Sequence, residues 1–412
     1  MKHLILGNGA AGITAAEKLR ELNPDHQITI IGPEGIPAYS KCMLPDYVGG
    51  RLSRERLFIR SEDSYKEKNI RLLKGKKVTR IDTENKKVIL EDSSSEAYDR
   101  LLVATGAVPL IPPVEGLDNE NFFIINSYSD AESIIKNAVP GQKALIIGAG
   151  LTGMEMAFSL TRLGMKATVV VRGERLLSSQ LDSDASCVLM SNLMKEGIQF
   201  IKGTSVSRIY RDQEGKQAEF TDGQALPFDM LLLASGTTSN IGMLKESGLK
   251  CSRGILVDEH MKTSANDVFA AGDAAEAVSP SNGYVSCYIW SNAMAQGQCA
   301  AYNMSGVEKT FSIDSVMLSS VQMRDTPFIS SGLVNPSGIG YEVIKFYDLS
   351  KGIYKKLVIS GNKLSGMTLI GDTSSGAILG SFLRKGTDIS EFKDMLLMPD
   401  FPKRYKEIKG SV

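Results

Sequence analysis

Residues Leu4–Leu19 read LILGNGAAGITAAEKL. The apolar run Leu4, Ile5 and Leu6 reads as a buried parallel strand, and Gly7, Gly9 and Gly12 follow it in the spacing G-x-G-x-x-G. The Ala-rich run after them predicts a helix with Ile13, Ala16 and Leu19 on one face. Each glycine has its own task. Gly7 permits the tight turn, Gly9 lets a pyrophosphate approach the backbone, and Gly12 lets the helix pack on the strand. The helix start, with Ala10 and Ala11, then offers free N–H groups and the positive dipole end to phosphates. The bland alternative is a glycine-rich turn in an ordinary α/β protein. The strand–turn–helix context weighs against it.

The pattern occurs twice. Leu145–Leu160 reads LIIGAGLTGMEMAFSL, with Gly148, Gly150 and Gly153 in the same places and Leu151 and Thr152 opening the helix. The surrounding unit repeats as well: YDRLLVATG over Tyr98–Gly106 and FDMLLLASG over Phe228–Gly236. Each is an apolar strand ending in a small-residue turn, which puts Thr105, Gly106 and Gly236 at strand tips. Two dinucleotide folds in one chain imply two dinucleotides and a hydride passed between them.

Working outward, Ile28–Ile31 is the second parallel strand of the first unit. An acid is expected at its end for a ribose hydroxyl. Gly32 holds that place, so the role is assigned to Glu34, with an exposed loop acid as the alternative. IPAYSKCMLPDYVGG, Ile36–Gly50, is a shaped loop rather than a periodic element. It carries Cys42, and the ammonium of Lys41 beside it would favour the reactive thiolate. The alternatives are a small buried cysteine and a solvent-facing lysine. Ser53–Arg71 reads as a polar, helix-rich connection, and the proline-rich Ala107–Gly116 is the best candidate boundary.

In the second unit Thr168–Val171 is the second strand, and Val171 stands where an acid would be. Arg172, Gly173, Glu174 and Arg175 follow. Arginines there can accept the 2′-phosphate of NADPH, which tilts the expectation towards NADPH. In the alternative both arginines are solvated and Glu174 serves the ribose. Val268–Ala271 then forms a strand that delivers Gly272 and Asp273 to a turn, where a carboxylate can bind a flavin's ribityl hydroxyl. Tyr288–Met304 reads as a helix rich in small residues, with a packing role for the single Trp290. From Thr310 the character changes. Val316–Ser330 and Tyr341–Asp372 suggest strands, Ser360–Lys363 a hairpin turn, and Ser374–Gly386 a helix. No catalytic constellation stands out there, and KRYKEIKG reads as a solvated end.

The composition narrows the class. The chain has 412 residues, long enough for two or three cores, with 47 basic and 47 acidic side chains. That balance gives no sign of a nucleic-acid partner, and no apolar run approaches a membrane span. The early first strand leaves no room for a signal peptide. Cys42, Cys187, Cys251, Cys287 and Cys299 show no zinc-type spacing, and there are only three histidines. A cytoplasmic, reduced chain without a bound metal is the expectation.

In order, GNGAAG, YDRLLVATG, GAGLTGME and VFAAGDAA resemble the motif set of the two-dinucleotide, FAD-dependent pyridine nucleotide oxidoreductases, over nearly the whole chain. The resemblance implies an α/β protein with two Rossmann-like domains in the glutathione-reductase-like arrangement, plus a C-terminal α+β domain. The segments would be 1–113 with 248–306 for FAD, 114–247 for NAD(P)H, and 310–412. It implies FAD contacts at Gly7, Gly9, Gly12, Glu34, Thr105 and Asp273. It also implies dinucleotide contacts at Gly148, Gly150, Gly153 and Glu155, the last near the nicotinamide, and Lys41 is expected near the flavin. The paired cysteines and C-terminal catalytic histidine of glutathione-reductase-like members are absent.

SKCMLPDYVGG is similar to the single-cysteine loop of coenzyme A-disulfide reductases, NADH oxidases and peroxidases, which would make Cys42 a redox centre. KKLVISGNKLSGMTLIGDTSSGAILGSFLRKG instead resembles NADH:rubredoxin reductases and the flavin module of nitrite reductases. That implies electron transfer to an iron–sulfur or rubredoxin-type protein, the preferred expectation. Thiol chemistry at Cys42 is the rival, and a non-catalytic flavin subunit is the third reading. A homodimer or a subunit of a redox complex is compatible with each.

Overall fold

The computed structural model describes residues 1–279, 283–312, 318–323 and 326–410. The first glycine stretch opens a five-stranded parallel sheet. Its order is Val268–Ala270, Arg100–Val103, Lys2–Leu6, Gln27–Gly32, Ile70–Lys74. The strand carrying the finger lies in the middle, so Leu4, Ile5 and Leu6 are buried on both faces, as a parallel sheet between helices requires. The helix Ala10–Leu22 buries Ile13, Ala16 and Leu19, the expected face. Helix Trp290–Met304 packs closely on it: a Cβ at Gly297 would come within 2.3 Å of the Ala11 carbonyl oxygen.

The second stretch repeats the plan in a four-stranded parallel sheet. Its order is Gln199–Lys202, Lys166–Val171, Lys143–Ile147, Met230–Leu233. Each sheet has a three-stranded antiparallel satellite just before its last repeated strand, Val78–Ala97 in the first and Val206–Pro227 in the second. The strands after the two small-residue turns, Ala107–Pro109 and Thr237–Ser239, pair with each other and join the units. Residues Ile36–Gly50 belong to the first unit by sequence but pack into the second. Tyr39, Leu44 and Val48 join its core, and the Ser159 hydroxyl donates to the Pro45 carbonyl at 2.6 Å.

The C-terminal region is a five-stranded antiparallel sheet, ordered Leu318–Met323, Thr326–Gly332, Lys363–Ile370, Ile353–Ser360, Tyr341–Asp348. The expected hairpin at Ser360–Lys363 joins strands Ile353–Ser360 and Lys363–Ile370. Of the expected strand Val316–Ser330, residues 316–317 and 324–325 lie outside the described residues. Helix Gly376–Lys385 covers one face. The final stretch is not simply solvated: it is a helix, Phe401–Gly410, and the Tyr405 ring sits 5.2 Å from those of Phe382 and Phe392. The sheet docks on the second unit at Asp182, the N-cap of helix Ser183–Lys195. Buried Lys356 donates to that carboxylate at 2.6 Å and the Tyr354 hydroxyl at 2.8 Å. Burial alone would raise the Asp182 pKa, but the hydrogen bonds from Lys356, the Ala185 amide and Tyr354 outweigh it and hold the carboxyl below its usual range.

Candidate dinucleotide and redox site

Both fingers have the geometry their glycines predict. Gly7 and Gly148 have φ of +111° and +121°, and a Cβ on them would meet the carbonyl oxygens of Ala104 and Ala234 at 2.1 and 2.2 Å. A Cβ on Gly12 or Gly153 would meet the oxygen of Gly7 or Gly148 at 1.9 or 2.0 Å. These glycines are therefore required for packing, and Gly12 does not line the cleft described next. At Gly9 and Gly150 a Cβ would meet no atom of the described residues beyond its chain neighbours within 4 Å, which leaves room for a ligand there.

A cleft open to solvent lies over the first finger. Gly7, Gly9, Ala10, Ala11, Glu34, Lys41, Cys42, Thr105, Gly106, Gly272 and Asp273 all line it, so residues far apart in sequence converge there. The fifth strand, Val268–Ala270, brings Asp273 beside the finger, and the Gln296 side chain fixes the turn by accepting from the Gly272 amide at 2.7 Å. Burial lifts the Asp273 carboxyl to about 6 against the pull of Lys41. The open finger, an extended cleft and a carboxyl in its wall fit a flavin dinucleotide.

Sequence reasoning missed part of the wall. Trp290 was expected only to pack; it does pack against the first core, and it also lines the cleft with Tyr288 and Ala293. Asn126, from the second unit, closes another side and carries no motif. Glu34 reaches the cleft with its carboxylate engaged. The Tyr39 hydroxyl lies 2.8 and 3.0 Å from its two oxygens, and the Tyr128 amide donates at 3.3 Å. It thus also ties the first unit to helix Tyr128–Asn137 of the second.

Lys41 and Cys42 meet different neighbours. The Lys41 ammonium lies 4.0 Å from Glu34 Oε1. Cys42 is exposed and lines the cleft, with its thiol partly enclosed by surrounding protein. That burial, with Glu155 and Asp273 nearby, pushes its pKa up to about 11, away from the thiolate. Glu155 lies on the second finger helix, against which the Cys42 loop packs. Burial, helped by Asp46, raises its carboxyl to about 7. Gly148, Gly150, Leu151, Thr152, Gly153 and Gly236 cluster at the second finger, with Gly236 in its own turn at φ +106°. Arg172 is exposed and Arg175 half-buried at the tip of the adjacent strand.

Comparisons with known proteins give the family of the chain. Residues 1–297 match the family model of pyridine nucleotide-disulphide oxidoreductases, and residues 321–387 match the rubredoxin NAD+ reductase C-terminal domain. The chain is 33% identical over 392 residues to nitrite reductase [NAD(P)H] of Bacillus subtilis, covering 95% of this chain but only 48% of that protein. It therefore spans about half of that relative's length. It is 33% identical to an NADH oxidase of Methanocaldococcus jannaschii, over 76% of this chain and 71% of the other. It is 29% identical to the NADH-rubredoxin oxidoreductase of Clostridium acetobutylicum, over 95% and 96%. Among the described residues no helix is long and apolar enough to cross a membrane.

Proposed function

Since the chain belongs to the pyridine nucleotide-disulphide oxidoreductase family, we propose that it is an FAD-dependent enzyme that oxidises NAD(P)H and delivers the electrons to a small iron–sulfur or rubredoxin-type protein. When bound, FAD supplies hydride acceptance and one-electron release. The chain's residues do the rest. The first finger with Gly9, Thr105 and Asp273 would hold FAD, and Glu34 its ribose. The second finger with Gly150, Thr152 and Glu155 would hold the nicotinamide dinucleotide. The Ile36–Gly50 loop forms a wall of the first site and packs on the second finger's helix, so it would position the two sites against each other. Lys41 places a cation at that wall.

One observation carries the choice of acceptor. Cys42, the one thiol among the described cleft residues, is flanked by the carboxyls of Glu155 and Asp273, while the nearby cation is turned to Glu34. A thiol so placed is a poor nucleophile. The likeness of the C-terminal region to rubredoxin reductases supports the same acceptor. The rival, a Cys42 that cycles through a disulfide or sulfenic acid, is favoured by the position of Cys42 in the cleft and by the likeness to an NADH oxidase. Cys42→Ser decides between them. NAD(P)H-driven reduction of a rubredoxin-type carrier is expected to persist, and its loss would transfer the function to the thiol.

The dinucleotide is read as NADPH. Neither Arg172 nor Arg175 has an ion pair or hydrogen bond among the described residues, and Glu174 is occupied elsewhere, 3.5 Å from Lys202. Turnover compared with the two reduced dinucleotides tests this, and a strong preference for NADH would contradict it.

A further inference from the structure

The strand tips of the second unit sort its charges. Strand Lys166–Val171 has the finger strand Lys143–Ile147 on one side and Gln199–Lys202 on the other. After Val171 the chain turns back to the finger, where the Leu177 amide donates to the Ala149 carbonyl at 3.0 Å. Glu174 does not follow that course. The Gly203 amide donates to the carbonyls of Val171 at 3.0 Å and Gly173 at 3.2 Å, tying the start of the turn to the outer strand. The Glu174 carboxylate lies over Gly203, where a Cβ would come within 2.8 Å of Oε1. Its other oxygen is 3.5 Å from Lys202 Nζ. The acid is thus drawn to the side of the strand opposite the finger, and the two arginines keep no internal partner among the described residues. In the first unit Lys74 holds the register position of Lys202, opposite Gly32, but it pairs with Glu62 and leaves Glu34 on the cleft.

We propose that Lys202 is a positioning residue that sets dinucleotide specificity: it holds Glu174 away from the adenosine ribose, leaving that place to Arg172 and Arg175 and so to a 2′-phosphate. The inference rests on the NADPH reading above and deepens it. An acid released towards the ribose would repel the phosphate and favour the free hydroxyl pair. Because Lys202 and Glu174 are surface groups, the effect is moderate.

The test uses probes without a nicotinamide, adenosine 2′,5′-bisphosphate and adenosine 5′-monophosphate, titrated calorimetrically into the flavin-loaded protein. The unmodified protein should bind the bisphosphate more tightly. Lys202→Met should weaken bisphosphate binding by about fivefold and leave the monophosphate unchanged or tighter. Adding Glu174→Gln to Lys202→Met should restore the bisphosphate affinity. An unchanged Lys202→Met variant overturns the proposal while leaving the NADPH reading intact. Loss without restoration also overturns it, because Lys202 would then touch the phosphate itself. An unmodified protein that does not distinguish the probes overturns the NADPH reading, and the role of Lys202 with it.

Discussion

Gly7 and Gly148 occupy the same turn in two parallel sheets, and Thr14 and Glu155 occupy the same position on the helices that follow. Beyond that shared frame the units differ. The first sheet gains a fifth strand, Val268–Ala270, which brings Asp273 to a deep cleft. At the matching edge of the second sheet a single bridge among the described residues, Phe123 to Leu232, runs alongside, and the C-terminal sheet docks on a helix of this unit through Asp182. The comparison teaches that the finger is a local solution to backbone crowding, whereas the use made of it is decided by distant segments packed around it.

The largest effect expected from breaking the comparison is at the turns. Gly7→Ala and Gly148→Ala each force a side chain onto positive φ and against a carbonyl. Each should cost about 3 kcal/mol or more, measured by denaturant unfolding. A much smaller loss at one of them would show that the two turns are not equivalent. Gly9→Ala and Gly150→Ala sharpen the contrast, since neither methyl meets protein. Gly9→Ala should lower FAD affinity by about tenfold or more, read as flavin retained after gel filtration. Gly150→Ala should keep its flavin and instead raise KM for NAD(P)H by a similar factor. The same defect in both variants would contradict the assignment of one cofactor to each finger.

The smallest effect concerns Glu155, where the first unit has Thr14. A carboxyl raised to about 7 in the fold binds its proton more tightly than in the unfolded chain. Stability should therefore fall as pH rises from the ordinary carboxyl range through 7. Glu155→Gln should remove that slope, gaining on the order of 1 kcal/mol at pH 8 and little at pH 5. Parallel pH profiles for the two proteins would contradict it.

How much was legible in the sequence follows from the range of the interactions. The finger glycines were located by their spacing within a strand–turn–helix, although the carbonyls that crowd Gly7 and Gly148 come from the distant strand ends at Ala104 and Ala234. The shaped loop around Cys42 was also visible. Its electrostatics were not, because they depend on Glu155 and Asp273 brought together by the fold, and the adjacent Lys41 turns to Glu34. Trp290 has no motif to separate a cleft wall from a packed core, and it is both. Tyr405 sits in a run of charges that reads as solvated, yet its ring completes an aromatic cluster.

The central claim is that the protein stores electrons on its flavin alone and passes them outward. An anaerobic titration of the flavin-loaded protein with NADPH, followed in the visible spectrum, tests it most directly. The account predicts that the flavin bleaches after one equivalent and that nothing more is taken up. Uptake of a second equivalent, with a long-wavelength band between a thiolate and oxidised flavin, would make Cys42 a redox centre and contradict it.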